Sequence, residues 1–252
     1  MIVKAVYRKN SHAKGIVIFI HGIVESPAPF AEQMDIAYNC GMSVASMILP
    51  GHGGTTMDFA RSSGKEWLEY AQNKIANYRQ EYDKIFLFGH SMGSLLSILS
   101  YVNDPRNIEG IIAFDTPLFV SVKPRAIRNI LKTGLCKNVP ESDPAYHLQK
   151  YMGVEQGPTL SYALWLPRIA DLFTLMRQTR SALNEVKTPL LVFHADNDEL
   201  VASSSVRYFE KHANPNYLQL THLTESSHFH LSDSDRKKLN SQLNAFLSKT
   251  KL

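Results

Sequence analysis

Runs of apolar residues that alternate with helical segments restrict the fold of this chain more than any other feature. Residues 16–20 and 84–88 are almost continuously apolar, and longer segments with helical periodicity separate these and similar runs. Apolar strands separated by helices are typical of a parallel sheet that helices cover on both faces. We therefore predict an α/β fold with a mostly parallel sheet, whose strands include 16–20, 43–48, 84–88, 108–114, 189–193 and a more amphipathic edge strand, 217–223.

The composition is that of one soluble globular domain. The 252 residues are 44% apolar and 20% charged, and a chain of this length needs no disulfide or structural metal for stability. The formal net charge of +4 is scattered, so no nucleic-acid partner is expected. Cys40 and Cys136 have no metal-binding spacing, the N-terminus lacks a signal-peptide pattern, and the run 16–20 is too short to span a bilayer. These features predict a cytoplasmic protein without stable membrane insertion, and they leave the oligomeric state open.

The segment 116–185 breaks the alternation of strands and helices. It has no strand-like run, but it has several helical patterns and a turn-rich centre at 139–144. We therefore expect a small helical cap, inserted into one α/β core that comprises 1–115 and 186–252. One stripe of the cap has apolar residues at i, i+3, i+4 and i+7, and it is expected to pack on the core or to line a substrate pocket: Ile169, Leu172, Phe173 and Met176.

A short glycine-flanked serine motif carries the strongest functional signal. Gly89-His90-Ser91-Met92-Gly93 fits the pattern G-x-S-x-G, directly after a buried strand and directly before a helix. This strand–turn–helix setting is typical of the nucleophile elbow of α/β hydrolases. The sharp turn leaves almost no room beside the serine, which explains the two glycines. Ser91 is therefore the predicted nucleophile.

A serine nucleophile needs a base, which is itself oriented by an acid. In α/β hydrolases these residues follow the serine in the order acid, histidine. The predicted base is His228, which lies in the loop between the last strand and the last helix. His230 and, after it, His222 are the alternatives.

Three aspartates are candidates for the acid. Asp198 is preferred because it lies well past the strand 189–193, immediately before a Glu-Leu-Val segment that can pack back. Asp196 is the second choice in the same loop. Asp115 is another alternative, since it follows the strand 108–114, where some α/β hydrolases place the acid.

The oxyanion hole is predicted at the end of the first buried strand. In this fold one backbone N–H comes from the loop after that strand and the other from the residue after the nucleophile. His21-Gly22-Ile23 follows the strand, so the predicted donors are the N–H groups of Ile23 and Met92.

Taken together, the chain resembles the carboxylesterase and monoacylglycerol lipase branch of the α/β-hydrolase superfamily. The resemblance covers nearly the whole chain outside the cap, and it rests on His21-Gly22, Pro50-Gly51-His52-Gly53, Gly89-His90-Ser91-Met92-Gly93, the loop 196–201 and Ser227-His228. It implies an acid at Asp198 and a base at His228. The chain departs from the family pattern at His194 and Ser227, where glycine is frequent, and neither departure removes a catalytic atom.

The resemblance implies a serine hydrolase that cleaves carboxylic esters through an acyl-enzyme on Ser91. Its expected partner is a small-molecule ester, with a short or medium acyl chain or a monoacylglycerol, and no cofactor or metal is expected. Thioesters and amides are alternatives because the same triad hydrolyses them. A catalytically silent, hydrolase-like binding protein is the alternative from another class.

Overall fold

One sheet organises the molecule. The computed structural model describes residues 4–13 and 15–249, and the strands in these residues are β1 (Tyr7–Arg8), β2 (Gly15–Ile20), β3 (Ser43–Ser46), β4 (Lys84–His90), β5 (Ile108–Phe114), β6 (Leu190–Ala195) and β7 (Leu218–Leu223). Their order across the sheet is β1-β3-β2-β4-β5-β6-β7. Every neighbouring pair is parallel except β1 and β3. The predicted, mostly parallel α/β sheet is thereby confirmed, with β7 as an edge strand.

Helices cover both faces of the sheet. In chain order they are α1 (Ala31–Asn39), α2 (Thr56–Arg61), α3 (Gly64–Tyr78), α4 (Met92–Asn103), α5 (Pro124–Leu135), α6 (Tyr146–Tyr151), α7 (Leu166–Ala182), α8 (Ser204–His212) and α9 (Asp233–Lys249). Short 3-10 helices occupy Ala28–Phe30, Thr159–Trp165 and Leu183–Glu185. Side chains of α3, α4, α7 and α8 share one apolar core with the sheet, and side chains of α1 and α9 share the other.

Strand β2 shows why the central runs are apolar at every position. Ile16 and Ile18 point into the core on the α3–α4 face, while Val17 and Phe19 point into the core on the α1–α9 face. All six residues of β2 are buried. Burying a side chain of this size contributes about 1.5–3 kcal/mol, so a polar residue at any of these positions would be costly.

The segment 116–185 lies between β5 and β6 in the chain and is mainly helical. It contains α5, α6, α7 and two of the 3-10 helices, as the sequence predicts. We call it the cap segment. The division of the chain into this cap and the core 1–115 plus 186–252 stays a prediction, and both core segments extend at their ends beyond the described residues.

The predicted apolar stripe of α7 is divided between the core and the solvent. Helix α7 packs against α3 and α4, so Met176 is buried in the core and Leu172 is packed partly against it. Ile169 and Phe173 are exposed, by 39% and 50%. The expectation of core packing holds for Met176 and partly for Leu172 but is wrong for Ile169 and Phe173, because the face that α7 buries consists of Leu175, Met176, Thr179 and Ala182.

The parallel arrangement brings six loops to one edge of the sheet. The carboxyl ends of β2, β3, β4, β5, β6 and β7 all lie there, because neighbouring parallel strands run in the same direction. Ligands of open α/β sheets bind at this edge. No helix within the described residues has the length and hydropathy that are needed to cross a bilayer.

Candidate active site

Ser91 lies in a strained turn between β4 and α4. Its φ of 51° and ψ of −121° are unusual for a residue with a side chain. A Cβ atom at Gly89 would lie 2.4 Å from the backbone of Gly93, and a Cβ atom at Gly93 would lie 1.9 Å from the carbonyl oxygen of Ile20. Both glycines of the motif are therefore required by close backbone packing, and the turn that they permit presents Ser91 at the sheet edge.

His228 lies between Ser91 and Asp198. Its Nε2 atom is 3.2 Å from Ser91 Oγ, and its Nδ1 atom is 2.7 Å from Asp198 Oδ2. All three side chains are buried. The loop after β7 holds the histidine, because the Ser226 hydroxyl donates to the carboxylate of Asp235 at the start of α9. The structure thus brings together the three residues that the sequence singled out.

The electrostatics of this pair favour a charged Asp198. Burial opposes the carboxylate, but His228 and the N–H groups of Val201 and Leu200 hold the pKa of Asp198 below its usual range. Burial also opposes a charged imidazole, yet Asp198 raises the pKa of His228 above its usual value. An ionised Asp198 accepts a hydrogen bond from the Nδ1–H group of His228, so Nε2 of the neutral imidazole is left to accept the hydroxyl proton of Ser91.

The alternative residues occupy other positions. Asp196 is exposed and pairs with His222 at 2.6 Å between Oδ1 and Nδ1. His230 packs against His147 with the two rings tilted by 41° and their centroids 5.0 Å apart. Asp115 is fully buried near the pair, but its Oδ1 accepts the N–H of Ala195, and its Oδ2 has no partner among the described residues.

Asp115 differs from Asp198 in the direction of its pKa shift. Burial, reinforced by the negative charge of Asp198, raises the pKa of Asp115 far above its usual range. Such a shift favours the neutral carboxyl, which stabilises an imidazolium less well than an anion does. The geometry and the charge therefore both favour Asp198 as the partner of His228.

The predicted oxyanion donors flank the serine. A Cβ atom at Gly22 would lie 3.1 Å from Ser91 Cβ, so the loop after β2 runs directly beside the nucleophile. Ile23 N–H has no acceptor among the described residues, and Met92 N–H belongs to the first turn of α4, where helical acceptors are missing. Both groups can donate to a ligand oxygen.

A buried Glu25–His90 pair adjoins the site, and sequence reasoning did not identify it. Glu25 Oε2 accepts the N–H of Gly22 at 2.8 Å and lies 2.8 Å from His90 Nδ1. The ring of His90 lies 4.9 Å from the ring of His228. Burial opposes the charge of Glu25, but His90 holds the pKa of Glu25 below its usual range. The pair therefore connects the loop after β2 to the turn at Ser91 and places a carboxylate oxygen within 4.8 Å of a ring nitrogen of His228.

The loop after β2 is also fixed from two other sides. Val24, whose φ of 55° is rare for a branched residue, donates its N–H to His52 Nε2 at 3.1 Å. From the cap segment, Gly153 N–H donates to the carbonyl oxygen of Val24 at 2.7 Å, and Ser26 N–H donates to that of Tyr151 at 2.9 Å. The only apparent sequence signal for this loop was its His-Gly start.

A cavity of about 320 Å³ lies beside His228 and His90. Residues of α1, α6, α9 and the loops at the sheet edge line it, among them Phe30, His147 and Tyr151. The α7 stripe Ile169, Leu172, Phe173 and Met176 does not contribute to this lining. The mixed lining can accept both a polar and an apolar part of a ligand.

Two groups of side chains have the residue types of a metal site. Glu25, His90 and His228 each place one ligand atom within 4.8 Å of the others, and Asp115 and Asp198 do the same with His228. Hydrogen bonds between carboxylate and imidazole already join members of both groups. The hydrogen-bonded carboxylate–imidazole pairs Glu25–His90 and Asp198–His228 therefore account for these residues without a metal.

Known proteins share the sequence and the fold over most of the chain. A thermostable monoacylglycerol lipase from Bacillus sp. (strain H-257) is 24% identical over 230 residues, which cover 87% of this chain and 85% of the relative. The phospholipase YtpA of Bacillus subtilis (strain 168) is 27% identical and covers 79% and 81%. A solved structure reported for LipS and LipT, two metagenome-derived lipolytic enzymes, superimposes with a TM-score of 0.78 at 20% identity and covers 98% of both chains.

The family follows from a match over most of the described chain. The family model described as "Serine aminopeptidase, S33" matches residues 11–235. This range includes Ser91, Asp198 and His228, and the match agrees with the α/β-hydrolase sheet and its serine turn. The chain therefore belongs to the S33 serine hydrolase family of the α/β-hydrolase fold.

Proposed function

We propose that Ser91, His228 and Asp198 form the catalytic triad of a carboxylic ester hydrolase. The observation that carries the proposal is the position of His228, 3.2 Å from Ser91 Oγ and 2.7 Å from Asp198 Oδ2. The names of the similar proteins, a monoacylglycerol lipase and a phospholipase, support esters with a lipid acyl group as the substrate class.

Acylation is the first half of the reaction. Ser91 Oγ attacks the ester carbonyl carbon while His228 Nε2 takes the hydroxyl proton, and Asp198 stabilises the resulting imidazolium. The N–H groups of Ile23 and Met92 donate to the oxyanion, a contribution of about 10²–10³ in rate for each donor. The bond to the alcohol oxygen then breaks, His228 gives its proton to that oxygen, and the acyl group stays on Ser91.

Deacylation repeats these steps with water. His228 takes a proton from the water as its oxygen attacks the acyl carbon, and the same N–H groups stabilise the second oxyanion. The bond between the acyl carbon and Ser91 Oγ breaks, and His228 returns the proton to the serine. The products are a carboxylic acid and an alcohol, and the enzyme is regenerated.

The cap segment is proposed to cover this site, and a cytoplasmic location stays part of the proposal.

A p-nitrophenyl ester series from acetate to palmitate, with wild type and Ser91→Ala side by side, tests the proposal. We expect turnover with a maximum at one chain length, and its loss in Ser91→Ala. Ser97→Ala is the matched control. Ser97 is buried like Ser91 but lies within α4, and among the described residues its hydroxyl donates only to the carbonyl oxygen of Gly93. Wild-type turnover by Ser91→Ala would contradict the assignment.

Two further measurements separate the competing functions. A p-nitroanilide with the best acyl chain tests amide cleavage, which the proposal expects to be much slower than cleavage of the ester. Labelling of Ser91 by a fluorophosphonate tests whether the serine is activated at all. A protein that neither reacts with the fluorophosphonate nor cleaves any ester would be a silent, hydrolase-like binding protein.

A further inference from the structure

Two buried histidines flank the loop after β2, and neither belongs to the proposed triad. His21 directly follows β2, and His52 lies between β3 and α2. Both are buried, and their rings are tilted by 59° with 4.7 Å between the centroids. Buried polar groups are almost always hydrogen-bonded, so the partners of the two rings indicate what these side chains do.

His21 binds the peptide group that contains the proposed oxyanion donor. Its Nε2 atom accepts the N–H of Leu49 at 3.2 Å, which leaves the proton of the neutral ring on Nδ1. The Nδ1–H group donates to the carbonyl oxygen of Gly22 at 2.8 Å. This carbonyl and the Ile23 N–H belong to one planar, trans peptide and therefore point in opposite directions. The bond from His21 thus holds the plane in which the Ile23 N–H lies.

His52 binds the next peptide group along the chain. Its Nε2 atom accepts the N–H of Val24 at 3.1 Å, and its Nδ1–H group donates to the carbonyl oxygen of Pro50 at 3.2 Å. Val24 has a φ of 55°, which is strained for a branched residue, so a bond to its N–H opposes relaxation of the turn. Ile23 therefore lies between two peptide groups, each of which is held by a different imidazole.

The surroundings of His52 keep its ring neutral and fixed. Burial, reinforced by the charge of a protonated His21, lowers the pKa of His52 well below its usual value. A charged imidazole has protons on both nitrogens, so it could not accept the N–H of Val24. The rings of Phe59 and Trp67 pack against His52 at steep angles, with their centroids 5.2 and 5.8 Å from its own. His52 therefore offers Val24 a rigid acceptor.

We propose that His52 is a positioning residue for the oxyanion donor Ile23 N–H. The loop passes directly beside the nucleophile, since a Cβ atom at Gly22 would lie 3.1 Å from Ser91 Cβ. Ile23 N–H has no acceptor of its own among the described residues, so its direction depends on the bonds of its neighbours. His52 supplies one of these bonds and is not itself a donor to the oxyanion. The proposal rests on the proposed hydrolase function, because such a donor affects the rate only when an oxyanion forms.

Two amide replacements separate the two bonds of His52. Glutamine places its amide oxygen near the position of Nε2 and keeps an acceptor for Val24 N–H, whereas asparagine reaches only the position of Nδ1 and keeps the bond to Pro50. In His52→Gln the carbonyl oxygen of Pro50 still accepts the indole N–H of Trp67 at 2.9 Å. We expect kcat of His52→Asn to fall at least about tenfold, a part of the loss that removal of a donor causes. His52→Gln should retain kcat within about threefold.

A transition-state analogue gives a readout that a purely structural role would not move. An alkyl trifluoromethyl ketone bonds through its carbonyl carbon to Ser91 Oγ, the hydroxyl proton passes to His228, and the ketone oxygen becomes the oxyanion. In His52→Asn the inhibition constant should rise by the same factor by which kcat/KM falls. The KM for the ester should change less than about twofold, because the donor acts on the oxyanion rather than on the bound ester.

The tautomer of His52 is tested in the wild-type protein, and this test does not depend on turnover. Long-range proton–nitrogen NMR spectra distinguish a protonated ring nitrogen from an unprotonated one. We expect a neutral ring with its proton on Nδ1 from about pH 6 to about pH 8, a range in which an ordinary histidine titrates. The signals are assigned by their absence in His52→Gln.

Ser62→Ala is the matched control for a loss of packing around His52. Ser62 is buried in the same group of side chains, where its hydroxyl donates to the carbonyl oxygen of Phe59 and accepts the indole N–H of Trp67. Neither of these bonds reaches the loop after β2. Ser62→Ala should therefore lower the melting temperature and leave kcat and the inhibition constant at their wild-type values.

Three results would overturn the proposal. The first is a folded His52→Asn protein with the kcat and the inhibition constant of the wild type. The second is an equal loss in His52→Gln and His52→Asn, which would mean that the bond to Val24 is unimportant. The third is a wild-type His52 with its proton on Nε2, a result that applies even if His52→Asn does not fold. Absence of wild-type turnover with every ester would contradict the hydrolase proposal, and it is recognised without any His52 variant.

Discussion

Replacing Asp198 and Asp115 separately by asparagine tests which carboxyl group supports His228. Asp198 Oδ1 accepts two backbone N–H groups, from Leu200 and Val201, at 2.7 and 2.8 Å. In Asp198→Asn the amide oxygen must take that position, because an amide NH₂ there would face two donors. The NH₂ group then faces His228 Nδ1, which forces the imidazole proton onto Nε2.

The expected magnitudes of the two replacements differ widely. A histidine with its proton on Nε2 cannot accept the proton of Ser91, and loss of the correct tautomer in a Ser-His-Asp triad costs about 10⁴ in kcat, or about 5.4 kcal/mol. Burial raises the pKa of Asp115 far above its usual range, and its Oδ1 accepts the N–H of Ala195, a bond that an asparagine oxygen can keep. We therefore expect Asp115→Asn to retain kcat within about threefold.

The assay is kcat for a soluble p-nitrophenyl ester, measured with thermal unfolding of each variant to verify folding. Active-site titration with a fluorophosphonate corrects for inactive protein. The reasoning is refuted if folded Asp115→Asn loses more activity than folded Asp198→Asn. That result would make Asp115 the acid and would assign the hydrogen bond of Asp198 a structural role.

Three further predictions follow from the buried groups of the site. In Glu25→Gln the charge that helps to raise the pKa of His228 is lost, so the acid limb of the kcat/KM profile should move to lower pH. The plateau of kcat/KM above that limb should fall by up to about tenfold, because a less basic imidazole takes the serine proton less readily. Glu32→Gln, in the same cavity wall, should leave both unchanged, and an unmoved limb in Glu25→Gln would contradict the argument. Gly93→Ala should lower the free energy of unfolding, measured by urea denaturation, by about 3 kcal/mol, because its Cβ meets backbone at 1.9 Å; wild-type stability would disprove the close contact. The raised pKa of Asp115 costs the fold stability as pH rises above the ordinary carboxyl range, so the melting temperature of Asp115→Asn relative to wild type should rise as the pH increases above about 4, and a relative melting temperature that falls would oppose this.

The sheet could be predicted because each of its central strands is encoded by one short, continuous stretch of sequence. Each central strand is a run such as 16–20 or 84–88, in which every position is apolar, and the structure confirms these strands with small shifts of their ends. Strand β1, at Tyr7–Arg8, was missed. Its two residues have no periodicity of their own, and the strand exists because β3 offers a free edge for antiparallel pairing.

The residues of the candidate site could be predicted only where their order along the chain indicates their position in the fold. Ser91, Asp198 and His228 each follow a different strand, and the parallel topology brings such loops together. Glu25 and His90 are 65 positions apart and meet through the positive φ of Val24, which no local pattern indicates. The exposure of Ile169 and Phe173 could not be predicted either, since periodicity identifies a face of a helix but not what covers it.

The hydrogen bonds of Gly153 link two parts of the site that are distant in the chain. A Cβ atom at this position would lie 1.9 Å from the carbonyl oxygen of Glu25, so the cap backbone after α6 lies directly against the loop after β2. That loop supplies Ile23 N–H, and Gly153 bonds to its neighbour Val24. We therefore expect a displacement of the chain after α6 to displace the Ile23 N–H group as well. The contacts of Gly153 therefore tie the position of the cap segment to that of the loop proposed to supply an oxyanion donor.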